Sequence, residues 1–207
     1  ELNVDLNLTR GMSEVLKANL NSGQSYDASY YRNILNSVIS IDTNFLAAWI
    51  NIQHSIIDKK YKKQYGRTRY TVYRVKNELG FANELLDTAG RTNSDYYKIY
   101  DHKNIEFSEP YYDVYGNDTS NKYLMTSVCV PLLNDKREFI GLAGMDLALA
   151  RLTPFVRNLK PFEGSRAFII SNKGFVVAHP NGSFVGGSLK NCIGEGIDST
   201  SFLTKVQ

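Results

Sequence analysis

The sequence has few of the features that mark metal centres, redox sites and membrane spans. Its only cysteines, Cys129 and Cys192, lie far apart and form no CxxC pair, so neither a metal site nor a redox pair is expected. No apolar run approaches the roughly 20 residues that a membrane-spanning helix requires. The chain also has no initiator methionine and no signal peptide, and it opens inside a structural element. We therefore expect an excised, soluble piece of a longer protein.

The sequence also lacks a strong charge and the common catalytic motifs. Its net charge of +3 is too small to suggest a nucleic-acid partner, and its one dense basic run, residues 58–69, is typical of a solvated turn. The histidines have neither HExxH nor Ser-His-Asp spacing, and no P-loop or glycine-rich dinucleotide motif follows a predicted strand. These absences favour a binding module over an enzyme, and no cofactor is expected.

Tyrosine is abundant instead, with 14 copies, and aromatic residues make up 12% of the chain, which favours β-rich structure. Helical spacing of apolar residues predicts two helices within residues 11–41, with a break at 21–25 and Asp27 as the N-cap of the second. Residues 2–8 alternate as a strand would. We nevertheless predict a helix there, because a lone strand would lack a partner.

The remainder of the chain alternates between strands and helices. Residues 121–135 and 138–149 are expected to pair as a hairpin through an Asn-Asp-Lys turn. The other predicted elements are strands at 44–53 and 67–76, helices at 93–104 and 149–161, a loop at 105–120 and a hairpin at 165–182. This order predicts an α+β fold.

The carboxylate of Asp146 lies in an otherwise apolar segment, EFIGLAGMDLAL at residues 138–149, which is expected to be buried. A buried carboxylate costs several kcal/mol unless it is paired or hydrogen-bonded. Asp146 therefore lies on a wet strand face, caps the following helix through backbone N–H groups, or faces a cation. The residues alone leave these alternatives open.

Four motifs occur in order: an aromatic pair opening a short helix, a Ser-Glu-Pro-Tyr loop, a Gly-x-Asp strand and a hairpin ending in Ala-His-Pro. Together they span about residues 44–190 and resemble the double Cache family, the extracytoplasmic sensor domains of bacterial chemoreceptors and membrane histidine kinases. The resemblance implies a periplasmic portion of an inner-membrane receptor, anchored by helices outside this chain and able to dimerise through a long N-terminal helix. It also implies three parts: N-terminal helices at 1–43, a PAS-like membrane-distal domain at 44–160 and a partial membrane-proximal module at 161–207.

The resemblance further implies a ligand pocket in the distal domain, formed by Tyr96, Tyr97, Tyr111, Asp113 and Asp146. Two carboxylates in one cavity would hold an ammonium group, and the rings would add cation–π contact. From the strand pattern, Trp49 and Tyr73 are candidates for the pocket floor, although Trp49 also suits the core and Asp113 also suits a turn.

The sequence departs from the amino-acid-binding members at Ser94, where those members usually carry Arg or Lys for the ligand carboxylate. Arg91 has the wrong offset to replace it. We therefore expect an amine, or another small polar molecule without a carboxylate.

The leading hypothesis is a non-catalytic sensor in which ligand closes loop 105–120 and shifts the long helix. Its output is a kinase or a chemoreceptor, with the kinase slightly favoured. The alternatives are a module of the same fold that senses a protein partner, and a hydrolase using Asp113 and Asp146 as acid and base.

Overall fold

The computed structural model describes residues 2–23, 27–63, 65–87, 95–116 and 122–193. Within these residues the helices are α1 Leu2–Asn21, α2 Ala28–Ile39, α3 His54–Ile57, α4 Asp95–His102, α5 Leu152–Asn158 and α6 Leu189–Ile193, with 3-10 turns at Leu149–Arg151 and Gly182–Phe184. The strands are β1 Phe45–Gln53, β2 Arg67–Val75, β3 Glu78–Leu86, β4 Glu106–Phe107, β5 Tyr111–Asp113, β6 Tyr123–Leu133, β7 Phe139–Ala148, β8 Ile169–Ile170 and β9 Val176–Ala178.

The chain divides into two compact units. Unit 1 contains residues 1–108, 115–117 and 127–147, and unit 2 contains residues 109–114, 118–126 and 148–207. Strand β6 therefore begins in unit 2 and continues in unit 1. The domain boundaries predicted from the sequence, at residues 43/44 and 160/161, stay predictions.

The two N-terminal helices form as predicted, including the helix over residues 2–8. Asp27 caps α2, and its side chain accepts a hydrogen bond of 3.1 Å from the N–H of Tyr30. At the other end of α2, Arg74 of β2 donates a 2.9 Å hydrogen bond to the carbonyl of Ile39. This bond gives a partner to a carbonyl group that has none within the helix, and it connects α2 to the sheet.

Unit 1 is built on an antiparallel sheet with the strand order β3-β2-β1-β7-β6-β4. One face of the sheet packs on α1 and α2, because alternate residues of each strand point to the same side. The helices contribute Met12, Leu16, Tyr31, Leu35 and Ile39 to this core. The sheet contributes Ala48, Ile50, Ile52, Tyr70, Val72, Ala143, Met145 and Leu147, among others. Helices plus an antiparallel sheet are the predicted α+β fold class, which is confirmed.

Most of the predicted elements are confirmed, and the exceptions lie in weakly patterned segments. The hairpin of β6 and β7 closes through a turn in which the N–H of Arg137 donates to the carbonyl of Asn134 at 2.8 Å. Strand β3 was missed, because it pairs with β2 alone and shows no regular alternation of buried residues. The prediction of a loop at 105–120 was wrong in part, since it contains the short strands β4 and β5.

Unit 2 contains smaller elements. Strand β5 pairs with residues 123–125 of β6, and β8 pairs with β9 in a two-stranded sheet, which confirms the predicted hairpin. Helix α5 buries Leu152 and Val156. Across both units, none of the helices in the described part of the chain is long and apolar enough to cross a membrane.

Candidate functional site

The face of the unit 1 sheet that points away from α1 and α2 alternates very small and aromatic residues. In one cross-strand row, Gly80, Tyr73, Ala47 and Asp146 are neighbours on β3, β2, β1 and β7. The next row contains Ala82, Thr71, Trp49 and Gly144. The small residues leave space that the aromatic rings of the neighbouring strands occupy.

Gly144 allows the indole ring of Trp49 to lie across β7. A Cβ atom at residue 144 would stand 2.2 Å from Cζ2 of Trp49, which is closer than any real contact. Gly80 does the same for Tyr73, since a Cβ there would stand 2.4 Å from the phenol ring. Each glycine thus permits one large ring to lie flat on the neighbouring strand.

Asp146 is buried, with 5% of its surface exposed, and side chains from three other segments hold its carboxylate. Oδ1 accepts hydrogen bonds from Nε1 of Trp49 at 2.8 Å and from Oγ of Ser127 at 2.6 Å. Oδ2 accepts one from the hydroxyl of Tyr115 at 2.5 Å. Such hydrogen bonds to an ionised group are short and strong, and they offset the cost of burying the charge.

The helix-cap interpretation of Asp146 does not describe these contacts. The 3-10 turn that follows β7 has Ala148 as its N-cap residue, and no side chain makes a capping hydrogen bond there. The donors to the Asp146 carboxylate described above are side chains. Asp146 is therefore part of a polar cluster on the sheet.

Aromatic rings surround this carboxylate. Tyr115 stacks on Tyr73 with ring centroids 5.6 Å apart and an angle of 11° between the planes. Trp49 lies against the same carboxylate and also packs on a second cluster, the α4 cluster, whose buried residues are Tyr96, Ile99, Cys129, Phe139 and Leu142. We call Trp49, Tyr73, Tyr115, Ser127 and Asp146 the Asp146 cluster. This cluster places a buried carboxylate against the N–H and hydroxyl groups at the edges of aromatic rings.

The predicted aromatic pair lies on α4, in the second cluster. Tyr96 packs edge-to-face on Tyr97 and on Phe139, with centroid distances of 5.2 and 5.4 Å. The guanidinium of Arg67 lies 4.3 Å from the ring centroid of Tyr96. Burial raises the pKa of Tyr96 and lowers the pKa of Arg67, since each charged form loses hydration there.

Some buried polar atoms on this side of unit 1 have no hydrogen-bond partner among the described residues. Among them are Oδ1 of Asn51 and the hydroxyl of Tyr96, and each residue is 6% exposed. A buried polar group without a partner costs free energy, so each is a candidate contact for a ligand or a water molecule.

The sequence-predicted site residues are thus distributed over three places. Asp146, Trp49 and Tyr73 belong to the Asp146 cluster, and Tyr96 and Tyr97 belong to the adjoining α4 cluster. Tyr111 and Asp113 lie on β5 in unit 2, where Asp113 is exposed and accepts a 2.8 Å hydrogen bond from the N–H of Val114. Their assignment to the pocket stays a prediction.

Sequence reasoning missed Tyr115, Ser127 and Arg67. Ser127 shares a strand face with Cys129, and the predicted hairpin of β6 with β7 was a signal that could have brought it to Asp146. Arg67 has the same parity as Tyr73 on β2, which was a usable signal. Tyr115 had no local signal, because it lies in an irregular segment.

No group of three or more His, Cys, Asp or Glu side chains in the described ranges has an arrangement that could hold a metal ion.

The fold is similar to those of several solved sensor domains. One is the extracellular domain of mmHK1S-Z3, a protein assigned as a histidine kinase, with a TM-score of 0.70, 20% identity and coverage of 99% of this chain and 72% of that one. Another is the periplasmic sensory domain of the Campylobacter jejuni chemoreceptor Tlp1, with a TM-score of 0.65, 14% identity and coverage of 98% and 75%.

A third similar structure is the ligand-binding domain of Campylobacter jejuni chemoreceptor Tlp3 in complex with L-valine, with a TM-score of 0.62, 15% identity and coverage of 96% and 68%. At these identities the likeness shows the fold. No curated protein matches the chain in sequence.

The family model described as methyl-accepting chemotaxis protein-like, first PDC sensor domain, matches residues 31–154, which is more than half of the chain. This match confirms the sensor-domain family that the four sequence motifs indicated, and the solved structures confirm its fold. The chain therefore belongs to the family of methyl-accepting chemotaxis protein-like first PDC sensor domains.

Proposed function

We propose that unit 1 binds a small molecule carrying an ammonium group, and that the Asp146 cluster receives this group. The observation that carries the proposal is the buried Asp146 carboxylate, which Trp49 and Tyr115 hold in place. Ligand binding by the similar Tlp3 domain, solved with L-valine, supports a small-molecule ligand for this fold.

Three side-chain donors orient the Asp146 carboxylate. They are an indole N–H, a phenol and a hydroxyl, and each of the three is uncharged. An ammonium group that reaches this carboxylate gains a charge-assisted hydrogen bond in a site with little water. The faces of Trp49, Tyr73 and Tyr115 add cation–π attraction.

The sheet register bears on whether the ligand is a free α-amino acid. Asp146 of β7 pairs with Ala47 of β1, and Arg67 of β2 pairs with Gln53 at the other end of β1. Ala47 and Gln53 are six residues apart, so their Cα atoms are about 20 Å apart along the strand, at roughly 3.3 Å per residue. This distance is far greater than the separation of the ammonium and carboxylate groups in an α-amino acid. The strand register therefore does not place Arg67 beside Asp146 as a clamp for the carboxylate of an α-amino acid, which favours an amine without a carboxylate.

Signalling requires that the ligand prefer one of two states of the receptor, by typically 1–3 kcal/mol. Tyr115 couples the Asp146 cluster to the predicted loop 105–120, because it donates to Asp146 from within that loop. We propose that the ligand changes this contact and that the domain itself performs no catalysis. Closure of the loop, movement of α1 and membrane anchoring of the whole receptor belong to the same proposal.

The test uses Trp49, which is the only tryptophan of the chain. Its indole contacts the proposed ammonium site, so its fluorescence reports directly on ligand binding. Titration with a panel of primary, secondary and quaternary amines should change the Trp49 emission saturably for at least one class. Asp146→Asn should abolish this response, since the amide carries no charge.

The same substitution should lower the free energy of unfolding by about 1–3 kcal/mol, because three donors lose a charged acceptor. Asp58→Asn is the matched control, since Asp58 is exposed in unit 1 and its carboxylate accepts a 2.9 Å hydrogen bond from the N–H of Lys60 in its own turn. Asp113→Asn separately tests the predicted second carboxylate. If no amine changes the Trp49 emission of the folded wild type, the proposal fails and a protein partner becomes the better hypothesis.

We also propose that the domain dimerises through α1. Val4 and Val15 are 68% and 51% exposed, and with Gly11 and Ala18 they form an apolar stripe along the helix. Their spacing of seven, four and three residues is that of a helix–helix seam. A Cβ atom at Gly11 would meet no atom within 4 Å, so a second helix has room to approach there.

A further inference from the structure

Unit 2 contains a cavity of about 510 Å³ whose charged lining residues are all basic. Arg157 and Lys160 line it from α5 and the segment that follows, and Arg166 and His179 line it from the turn and hairpin beyond. No Asp or Glu is among the lining residues. The volume lies within the range of about 300–1,000 Å³ that is typical of small-ligand sites.

The side chains of Arg157, Lys160 and Arg166 have no ion-pair partner among the described residues. The ion pairs of the described residues involve other side chains. Nη2 of Arg157 donates a 3.1 Å hydrogen bond to the carbonyl of Pro180, which fixes the guanidinium at the cavity wall. Arg157, Lys160 and Arg166 are all exposed, so an anion from the solvent can reach their charged groups.

His179 supplies a positioned hydrogen-bond donor to the same cavity. Its ring lies between Phe168 and Phe184, at centroid distances of 6.0 and 4.9 Å. Its Nδ1 lies 2.9 Å from the backbone nitrogen of Asn181, as the acceptor of that N–H, and 3.1 Å from the carbonyl oxygen of the same residue. When Nδ1 accepts this bond, the neutral ring carries its proton on Nε2, which can donate to an anion.

We propose that this cavity binds a small oxyanion of the phosphate or sulfate type. A guanidinium fork, an ammonium group and an imidazole N–H are the donors that tetrahedral oxyanions require, and Arg166 adds a second fork. This site is separate from the Asp146 cluster in its residues and opposite in the charge of its ligand. The receptor domain would thus respond to a cation in unit 1 and to an anion in unit 2.

Isothermal titration calorimetry of the whole chain with sodium phosphate and with sodium sulfate tests the proposal, with sodium chloride keeping the ionic strength constant. We expect saturable binding at one site. Arg166→Gln and Lys160→Gln should each weaken binding about tenfold, since each removes one charged hydrogen-bond donor. Neither side chain has a hydrogen-bond partner among the described residues, so both variants should keep the wild-type melting temperature.

Lys173→Gln is the matched control, because it removes the same charge from unit 2 at an exposed turn outside the cavity. Binding should be unchanged in this variant. If Arg166→Gln, Lys160→Gln and Lys173→Gln weaken binding equally, the effect is one of net charge and the proposal is overturned. The proposal is also overturned if neither anion binds saturably.

A phosphate group can also come from a lipid headgroup. Sedimentation with phosphatidylcholine vesicles, with and without phosphatidylglycerol, separates the two sources. We expect no association with either vesicle. Association with the anionic vesicles that Arg166→Gln abolishes, without binding of free phosphate, would overturn the proposal of a free oxyanion.

Discussion

At the scale of single residues, the position of Trp49 depends on Gly144. We expect Gly144→Ala to displace the indole, because the new methyl group would stand within 2.2 Å of the ring. The free energy of unfolding should fall by about 1–3 kcal/mol, the usual cost of overpacking. The Trp49 emission should shift at the same time, as the Nε1 hydrogen bond to Asp146 is lost.

Gly182→Ala is the control for this substitution, since a Cβ atom there would meet nothing within 4 Å. Its unfolding free energy and its emission should match those of the wild type. A Gly144→Ala protein with unchanged emission would show that the ring does not lie across β7.

Tyr96 and Tyr115 carry hydroxyl groups with opposite roles. The Tyr96 hydroxyl is buried without a hydrogen-bond partner among the described residues, so Tyr96→Phe should leave stability unchanged or raise it by up to about 1 kcal/mol. The Tyr115 hydroxyl donates to a carboxylate, so Tyr115→Phe should lower stability by about 1.5–3 kcal/mol. Urea unfolding of both variants measures the contrast, and equal losses would contradict it.

At the scale of elements, the start of α2 depends on an ionised cap. The Ser29 hydroxyl and then the Tyr30 N–H lower the pKa of Asp27 below its ordinary value of 3.8. Because the folded-state pKa is lowered, the stabilising effect is complete above pH 3.8 and is lost as the pH falls through the lowered value.

Asp27→Asn tests this effect, since asparagine keeps an acceptor for the helix N-terminus but does not titrate. At pH 7 the wild type should melt at the higher temperature, because a negative charge suits the N-terminal end of the helix dipole. The difference in melting temperature should shrink as the pH is lowered below 3.8. A difference that stays constant from pH 7 to pH 3 would assign the effect to hydrogen bonding alone.

At the scale of the whole molecule, the exposed stripe on α1 predicts self-association. Val4→Glu combined with Val15→Glu should shift the protein toward monomer, because it places charges in an apolar seam. Sedimentation velocity over a range of protein concentrations measures this shift. Asn33→Glu, an exposed residue on α2, should not change the distribution, and a wild type that stays monomeric at all concentrations would refute the dimer proposal.

Much of the fold was predictable from local sequence patterns. The strands β1, β2, β6 and β7 contain β-branched and aromatic residues. Asp27 is a local signal for the start of a helix, and the structure confirms it as the N-cap of α2. The α+β class follows from such signals, and the sensor-domain family was indicated by the resemblance that four motifs, taken in order along the chain, have to it. Strand β3 was not predictable in this way, because a half-exposed edge strand has no strong pattern.

The candidate site was predictable only in part. The sequence by itself determined that Asp146 is a carboxylate in an apolar strand and so needs partners, because burial of an unpaired charge is too costly. Only the tertiary structure decided which partners these are. Trp49 lies 97 residues before Asp146 in the chain, and the register of β1 with β7 brings them together. In unit 2, likewise, the fold brings Arg157, Arg166 and His179 to one cavity. Residue chemistry is local, whereas the distances between side chains depend on strand pairing and chain reversal, which no local pattern encodes.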